Sequence, residues 1–327
     1  DVNGQKDAWA FFSEGTAALA ESVAEGDMHF EQTSRPRSYV ALANGFIGDA
    51  SFPGELNRSY GEMIPYYAAI YWRFLYEQCG GMNDGIEDPA AGMRVIRRSL
   101  ELLYATALVD ISQSSDLVRH LPGLMDQVLE SPEAQLCPFQ TFREGLAGFS
   151  RAIYQLRLDR GRCTAPGMPA GCGFYDPNNL YHSPPVSTLT YRGERIVFVA
   201  ADQAYPPGIG SSFGIDYVDV ELDPSTQGQS MTIEFFGAPG AGAEFNVEIW
   251  RLMDSREFDG SHGRVFPVAS PERLEEKTAE GHMAYAIQEI DTNETNRLGL
   301  IITRISSDED SDPAGAYTIV VQPSPGL

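Results

Sequence analysis

The first 160 residues repeat their hydrophobic positions with the period of an α-helix. In the opening segment, residues 7–25, one side of the predicted helix carries mainly apolar side chains at the spacing i, i+3, i+4 and i+7: Trp9, Phe12, Thr16, Leu19, Ala20 and Val23. An aromatic-rich helix is predicted over residues 66–80, ending at two glycines, and three later stripes keep the same spacing over residues 93–107, 117–128 and 142–156. This pattern predicts an N-terminal helical bundle over residues 1–160.

Beyond residue 185 the hydrophobic period changes from 3.6 to 2. Short alternating or β-branched runs are separated by turn residues: Arg195–Ala200, Tyr217–Leu222, Met231–Phe236, Phe245–Trp250, Tyr285–Ile290, Arg297–Arg304 and Ala316–Val321. Seven or more such strands predict an antiparallel β-sandwich over residues 186–327. Residues 161–185, rich in Pro and Gly and holding two Cys, are interpreted as a linker, so the expected fold class is α+β.

The composition narrows the classes of partner. The chain has 327 residues, 43% of them hydrophobic, a formal net charge of -23 and a pI near 4.5. Nucleic acid and anionic membrane surfaces both require a basic protein surface, so we expect neither as a partner. No apolar stretch approaches the roughly 18 to 20 residues of a membrane span, and we predict none. Because the chain begins at Asp1 without Met, we expect a mature or trimmed product that is secreted or extracellular.

The four cysteines indicate an oxidising compartment. Cys163 and Cys172 bracket a short Pro/Gly segment that a disulfide would close naturally, which leaves Cys79 and Cys137 as a second pair. A structural zinc site made by all four cysteines is the alternative. Such sites normally use CxxC pairs, and the sequence has none.

The side of the opening helix opposite its apolar stripe carries carboxylates among alanines. Glu14, Glu21 and Glu25 alternate there with Ala10, Ala17 and Ala18. One interpretation is a solvated face that is rich in Ala because Ala is the best helix former. The other is a face that meets a second helix closely, which requires the carboxylates to be paired or bound to a metal.

A resemblance to a known family bears on this choice. The run Trp9 to Ala17, followed by Glu21, resembles the "W…EG-T-A…E" helix that follows HExxH in gluzincin-type secreted zinc metallopeptidases. The segment Tyr66 to Gly80 resembles an aromatic helix found downstream in bacterial proteins of this kind. The resemblance implies that Glu14 is a zinc ligand and that Glu21 orients a zinc-bound His.

The chain departs from the family at the centre of the site. Zinc catalysis of this type needs two His one helical turn apart with a Glu base between them, and the sequence contains no HExxH. Its histidines are far apart: His29, His120, His182, His262 and His282. The resemblance therefore implies the C-terminal portion of a longer precursor, or a lineage that lost its catalytic half. We predict that this chain alone is inactive and binds zinc only with an N-terminal fragment of the same precursor.

The strand-rich segment resembles the jelly-roll-like accessory domains of secreted bacterial peptidases, which bind protein, carbohydrate or cell surface or guide maturation. An alternative function is therefore a non-enzymatic extracellular interaction or structural protein that binds a protein or cell-surface ligand through the sandwich. A carbohydrate-binding module is a third hypothesis and predicts an exposed aromatic platform. Trp250 lies in a strand and could serve as that platform or as core.

One acidic loop carries carboxylates at the spacing of calcium ligands. Asp308, Asp310 and Asp312 place oxygen ligands at alternate positions, as the first half of an EF-hand loop does. Pro313 occupies the place of the required Gly, and no Glu follows at the twelfth position. A solvated hairpin loop and a weak extracellular calcium site are the two interpretations.

Overall fold

The chain divides into two compact units, residues 1–185 and 186–327. The computed structural model describes the following residues: 15–20, 23, 69–83, 86–107, 114–156, 174, 181–200, 214–237, 245–255, 264–267, 272–274, 282–287, 289–292, 296–304 and 317–324. The first unit is mainly helical and the second is built of strands, so the predicted α+β class is confirmed.

The first unit contains five described helices. Helix α1 covers residues 15–20, α2 is Ala69–Tyr76, α3 is Pro89–Ala107, α4 is Ser114–Leu129 and α5 is Phe142–Gln155. A π-helical turn, Glu77–Gly81, extends α2, and the short strands β1, Met82–Asn83, and β2, Ile86–Glu87, pair antiparallel after it. A 3₁₀ turn, Pro132–Ala134, lies between α4 and α5.

Side-chain caps explain where two of these helices begin. The Asp88 carboxylate accepts a hydrogen bond from the backbone N–H of Ala91 at 3.0 Å, directly before Pro89 opens α3. The Thr141 hydroxyl accepts from the N–H of Glu144 at 3.2 Å, and the Glu144 carboxylate accepts from the N–H of Gln140 at 2.8 Å. This reciprocal arrangement is close to a capping box and fixes the start of α5.

The core of the first unit is aromatic, and every residue of α2 is buried. Ring centroids of Tyr71 and Phe149 lie 5.4 Å apart, and Phe74 lies 5.6 Å from Phe149 and 5.8 Å from Phe139. Phe174 adds a further ring 6.0 Å from Phe74. Aromatic pairs at such distances add about 0.5–1.5 kcal/mol each beyond area burial, so α2 is the central packing element of this unit.

Helix α1 departs from its predicted orientation. Thr16 and Leu19 are buried, as the periodicity predicts, but Ala20 of the same predicted face is exposed. Gly15 and Ala18, which the wheel places off the predicted core face, are buried instead. These small residues allow close packing, so the buried side of the described helix is rotated toward them.

The described residues of the second unit form two sheets. Its strands are β3 Ser187–Tyr191, β4 Ile196–Ala200, β5 Ile215–Leu222, β6 Met231–Gly237, β7 Phe245–Ser255, β8 Arg264–Pro267, β9 Glu272–Leu274, β10 His282–Ile287, β11 Arg297–Arg304 and β12 Tyr317–Pro323. The four-stranded sheet has the order β10-β6-β12-β4, and the six-stranded sheet has the order β3-β5-β11-β7-β8, with β9 also paired to β7.

One strand pair contradicts the prediction of a wholly antiparallel arrangement. Strand β3 pairs with β5 in parallel, with Leu189 opposite Val220. Between the two strands the chain passes through β4 in the other sheet, so it returns to the six-stranded sheet in the same direction. A parallel pair requires such a crossover, and here the crossover includes β4.

Residues of both sheets share one hydrophobic core. Alternate residues of β6, namely Met231, Ile233 and Phe235, are buried in it together with residues of β5, β7, β11 and β12. The ring of Phe235 lies 5.2 Å from that of Phe245 in the other sheet and 5.3 Å from that of Tyr317 in its own. The period of two along each strand therefore separates a core-facing set from an outward set.

Candidate binding surface on the four-stranded sheet

Several residues singled out from the sequence lie outside the described part of the chain. These are Glu14 and Glu21 of the predicted zinc site, the predicted disulfide pair Cys163 and Cys172, and the acidic loop from Asp308 to Asp312 considered for calcium. Among the residues that the structure describes, no group of three His, Cys, Asp or Glu side chains is arranged to hold a metal ion. Within the same residues, no helix is both long and apolar enough to cross a membrane.

The second expected cysteine pair is present. Cys79, in the π-helical turn, forms a disulfide with Cys137, which follows the 3₁₀ turn, and the two residues are 58 positions apart. Gly80 beside it has a φ of 103°, and a Cβ there would lie 2.7 Å from a methyl carbon of Leu136. The turn that carries the disulfide therefore requires glycine at this position.

The same turn lies beside a buried ionic cluster. Arg73 Nε donates to Glu77 one helical turn later, and the side chains of both residues are almost fully buried. Arg73 Nη1 is 3.6 Å from Glu87 Oε1, which also accepts a hydrogen bond from the Tyr76 hydroxyl at 2.8 Å. Burial, and then the hydrogen bond to Glu87, raise the pKa of Tyr76. The described partners are all within the unit, so we assign the cluster a structural role.

In the second unit, the residues of the four-stranded sheet that point away from the shared core form what we call the outer face. Cross-strand register arranges them in rows. The first row is His282, Phe236, Thr318 and Val199, and the second is Ala284, Glu234, Val320 and Val197. Thr232, Gln322 and Ala286 form part of a third row. Apolar and hydrogen-bonding side chains therefore occur together on this face, although Val320 is buried.

A stacked pair lies on the outer face at the β10 edge of the sheet. The rings of Phe236 and His282 are 4.5 Å apart with planes inclined by 23°. His282 Nε2 is 3.6 Å from Glu234 Oε1, and Gln322 Nε2 donates to the other oxygen of Glu234 at 2.9 Å. An aromatic ring is thus held next to a carboxylate and an amide whose orientations are fixed by their contacts.

Exposure distinguishes this face from the rest of the unit. Phe236 is 37% exposed, Val197 45% and Val199 60%, although large apolar side chains are usually withdrawn from solvent. On the six-stranded sheet, by contrast, Asn246, Glu248 and Trp250 are buried. The Trp250 indole donates to Glu248 at 3.2 Å, so Trp250 is a buried residue and not the exposed platform considered from the sequence.

Sequence reasoning missed Phe236, but a signal for it exists. Strand β6 alternates strictly from Met231 to Phe235, and Phe236 breaks the alternation because two aromatic residues stand side by side. With a period of two, one of these neighbours must point away from the core. The adjacent pair Phe235 and Phe236 therefore indicates that one aromatic ring faces outward. A count of apolar residues alone does not reveal this.

No protein-family model and no curated protein matches the chain. Solved structures give weak likenesses to part of it. CorA, a surface-associated copper-binding protein of Methylomicrobium album BG8, is 11% identical with a TM-score of 0.25, over 42% of this chain and 98% of that one. The periplasmic lysozyme inhibitor PliG of Salmonella Typhimurium is 9% identical with a TM-score of 0.18, over 42% of this chain and 96% of that one.

The Tobacco streak virus coat protein is 10% identical with a TM-score of 0.18, over 42% of this chain and 92% of that one. Likenesses at this level carry no argument about activity, so the function must be argued from the residues of the outer face.

Proposed function

We propose that this chain is a non-enzymatic extracellular interaction protein, that its two sheets form a β-sandwich, and that it binds a ligand on the outer face of the four-stranded sheet. The observation that supports the proposal is the exposed Phe236, stacked on His282 and adjacent to the Glu234 and Gln322 pair. An apolar surface with a few oriented polar groups is the usual composition of a ligand site.

The chemistry of this surface fits an uncharged cell-surface carbohydrate. A sugar ring has one face of C–H groups, which can pack on Phe236, and hydroxyls, which can hydrogen-bond to the Glu234 carboxylate and the Gln322 amide. The formal charge of -23 disfavours sulfated or carboxylated glycans, because like charges repel at close approach. We therefore expect neutral oligosaccharides as ligands.

The experiment measures binding of the full chain to an array of neutral and acidic oligosaccharides, followed by titration calorimetry with the best neutral ligand. Phe236→Ala should weaken that binding by about tenfold or more, since an aromatic contact with the ligand contributes about 1.4 kcal/mol or more. Tyr104→Ala, which removes an aromatic residue that is 60% exposed in the other unit, is the matched control and should bind like the parent chain.

Two outcomes would contradict this assignment. The first is an array with no neutral ligand, which leaves a protein partner as the remaining class. The second is an unchanged affinity in Phe236→Ala. Far-ultraviolet circular dichroism of each variant separates a lost contact from a lost fold.

A second candidate function is the C-terminal part of a secreted zinc metallopeptidase. It is supported by helix α1, where Gly15 and Ala18 are buried together with Leu19, as in a helix that packs closely against neighbours. Under this proposal Glu14 becomes a zinc ligand and Glu21 its orienting carboxylate only when another fragment supplies HExxH. Zinc content and peptidase activity of residues 1–327 should both be negligible; strong activity of this chain alone would exclude the candidate.

A further inference from the structure

In the described part of the second unit, strand β4 is an edge strand, and its sequence lacks the residues that usually protect an edge. Among the described residues, β12 is the only strand that pairs with β4. An edge strand leaves every second residue's N–H and C=O pointing away from the sheet, ready to bond to another strand. Edge strands are normally blocked by Lys, Pro or a bulge, but β4 reads Ile-Val-Phe-Val-Ala, with no charge and no proline.

The exposed side chains of β4 are also apolar. Val197 is 45% exposed and Val199 is 60% exposed, and both lie on the outer face. The intervening Phe198 belongs to the inner side, where its ring is 6.4 Å from that of Tyr317. Within the described residues, β4 therefore combines an outer edge to which no strand is paired with exposed valines beside that edge.

The sequence of β4 is nearly symmetric about Phe198. Val197 and Val199 flank it, and the next residues out are Ile196 and Ala200, both partly buried and packed against the core. In an antiparallel pair centred on Phe198, Val197 of one copy would lie opposite Val199 of the other on the outer face. Ile196 would lie opposite Ala200 on the inner face. The strand is thus complementary to itself.

We propose that β4 pairs antiparallel with β4 of a second copy of this chain, with Phe198 at the two-fold axis. A symmetric dimer uses the same patch on both subunits, and a self-complementary strand satisfies this requirement. Because the two strands are antiparallel, the axis is perpendicular to the sheet. The two outer faces then lie on the same side of one continuous sheet.

This arrangement has a functional consequence that does not depend on the ligand class proposed above. Two copies of any ligand site on the outer face would be presented together to one surface. Simultaneous engagement of two sites can raise the apparent affinity by a factor of about 10² to 10⁴ without any new contact. Pairing through β4 would therefore make the protein divalent.

Sedimentation velocity of the full chain, from about 1 μM to about 1 mM, tests the pairing and covers dimers of moderate to weak affinity. We expect a concentration-dependent monomer–dimer equilibrium. Val199→Lys should raise the dissociation constant of the dimer at least about tenfold. A symmetric interface contains the substituted residue twice, and each lysine places a charge beside the pairing edge. Ala286→Lys adds the same charge on the outer face of β10, the opposite edge of the sheet, and should leave the constant unchanged.

If Val199→Lys disturbs the fold, Val199→Thr keeps a β-branched side chain while making it polar, and should still weaken the dimer. A parent chain that stays monomeric over the whole range would overturn the proposal. So would an equal effect of Val199→Lys and Ala286→Lys, because pairing would then not involve β4.

A second experiment tests the register. Chains carrying Val197→Cys and chains carrying Val199→Cys are mixed under mild oxidation. The parent chain, treated in the same way, measures cross-linking that does not involve these positions. Cross-linking should be faster in the mixture than in either variant alone, since these positions face each other across the axis. Equal rates in all three samples would exclude a pair centred on Phe198.

Discussion

At the scale of single residues, several buried tyrosines make stability depend on alkaline pH. Burial raises the pKa of Tyr71, and the nearby Asp126 carboxylate raises it further. Burial also raises the pKa of Tyr317, assisted by Asp216. In an unfolded chain the tyrosine pKa is about 10. Above that pH the unfolded chain releases protons that the folded chain keeps, so this stabilising contribution is present below pH 10 and is lost as the pH rises through and beyond it.

The substitution Tyr71→Phe tests this dependence. The free energy of unfolding of the parent helical unit should fall more steeply between pH 10 and 11 than that of the variant, by about 1 kcal/mol over that pH unit. Urea unfolding at pH 9, 10, 10.5 and 11 provides the comparison. Tyr104→Phe, at an exposed tyrosine of the same unit, is the control. Identical slopes for the parent and Tyr71→Phe would show that this hydroxyl titrates alike in both states.

The ion pair Arg73–Glu77 offers a second prediction at this scale, because the chain contains a matched exposed pair. Arg73 Nε contacts Glu77 in the core, and Arg97 Nε contacts Glu101 at 2.7 Å on the surface with the same spacing of four residues. Removing one partner of a buried pair leaves an uncompensated charge and costs about 3–5 kcal/mol. The corresponding cost at the surface is below about 1 kcal/mol.

We therefore expect Arg73→Met to lower the free energy of unfolding by several kcal/mol, and Arg97→Met to lower it hardly at all. The double variant Arg73→Met/Glu77→Leu should recover part of the loss, since it removes the remaining buried charge. Urea unfolding of the four proteins completes the comparison. If Arg73→Met lowered the free energy of unfolding no more than Arg97→Met, the negative charge of Glu77 would have to be balanced by other groups.

At the scale of elements, the disulfide joins the π-helical turn after α2 to the segment between α4 and α5. It closes a loop of 58 residues within the helical unit. In the chain-entropy description such a cross-link stabilises the folded state by about 4 kcal/mol. The double variant Cys79→Ala/Cys137→Ala should therefore lose about that much stability in the helical unit. Thermal unfolding followed by near-ultraviolet circular dichroism measures the loss, and a change below about 1 kcal/mol would contradict it.

The hydrophobic periodicity of the sequence predicted well those strands that pack one face on the hydrophobic core. Arg297–Arg304 was predicted with the observed bounds of β11, and Met231–Phe236 differs from β6 by one residue. The pattern missed β3, β8 and β9. Strand β3 is short and mostly exposed, and Leu189 and Tyr191 alone alternate toward the core, which is too little for a reliable pattern. Its parallel pairing with β5 depends on a crossover through the other sheet, which a local pattern does not contain.

The candidate site was harder to predict than the elements. Whether an apolar residue is core or surface depends on which strands lie beside it and what covers them, and that is decided by long-range packing. Trp250 and Phe236 both lie in strands with similar local sequence, yet Trp250 is buried and Phe236 is exposed. The zinc site inferred from resemblance stays a prediction, because Glu14 and Glu21 lie outside the described residues.

At the scale of the whole molecule, net charge opposes the pairing of two copies. Each chain has a formal charge of -23, so two copies repel one another, while the β4 contact itself is uncharged. Salt screens this repulsion over a Debye length of about 10 Å at 0.1 M, and it leaves apolar and backbone contacts largely unaffected. An uncharged interface between acidic proteins should thus become stronger with ionic strength.

We expect the dimer dissociation constant to fall several-fold as sodium chloride rises from about 0.05 M to about 0.5 M, a range over which the Debye length shrinks roughly threefold. Sedimentation equilibrium at four salt concentrations measures this constant. The same series with Val199→Lys shows how much of the salt dependence comes from the β4 contact. An interface built on salt bridges between copies would give the opposite slope, because screening weakens attraction between unlike charges. A dissociation constant that rises with salt would therefore exclude the uncharged β4 strand as the main contact between the two copies.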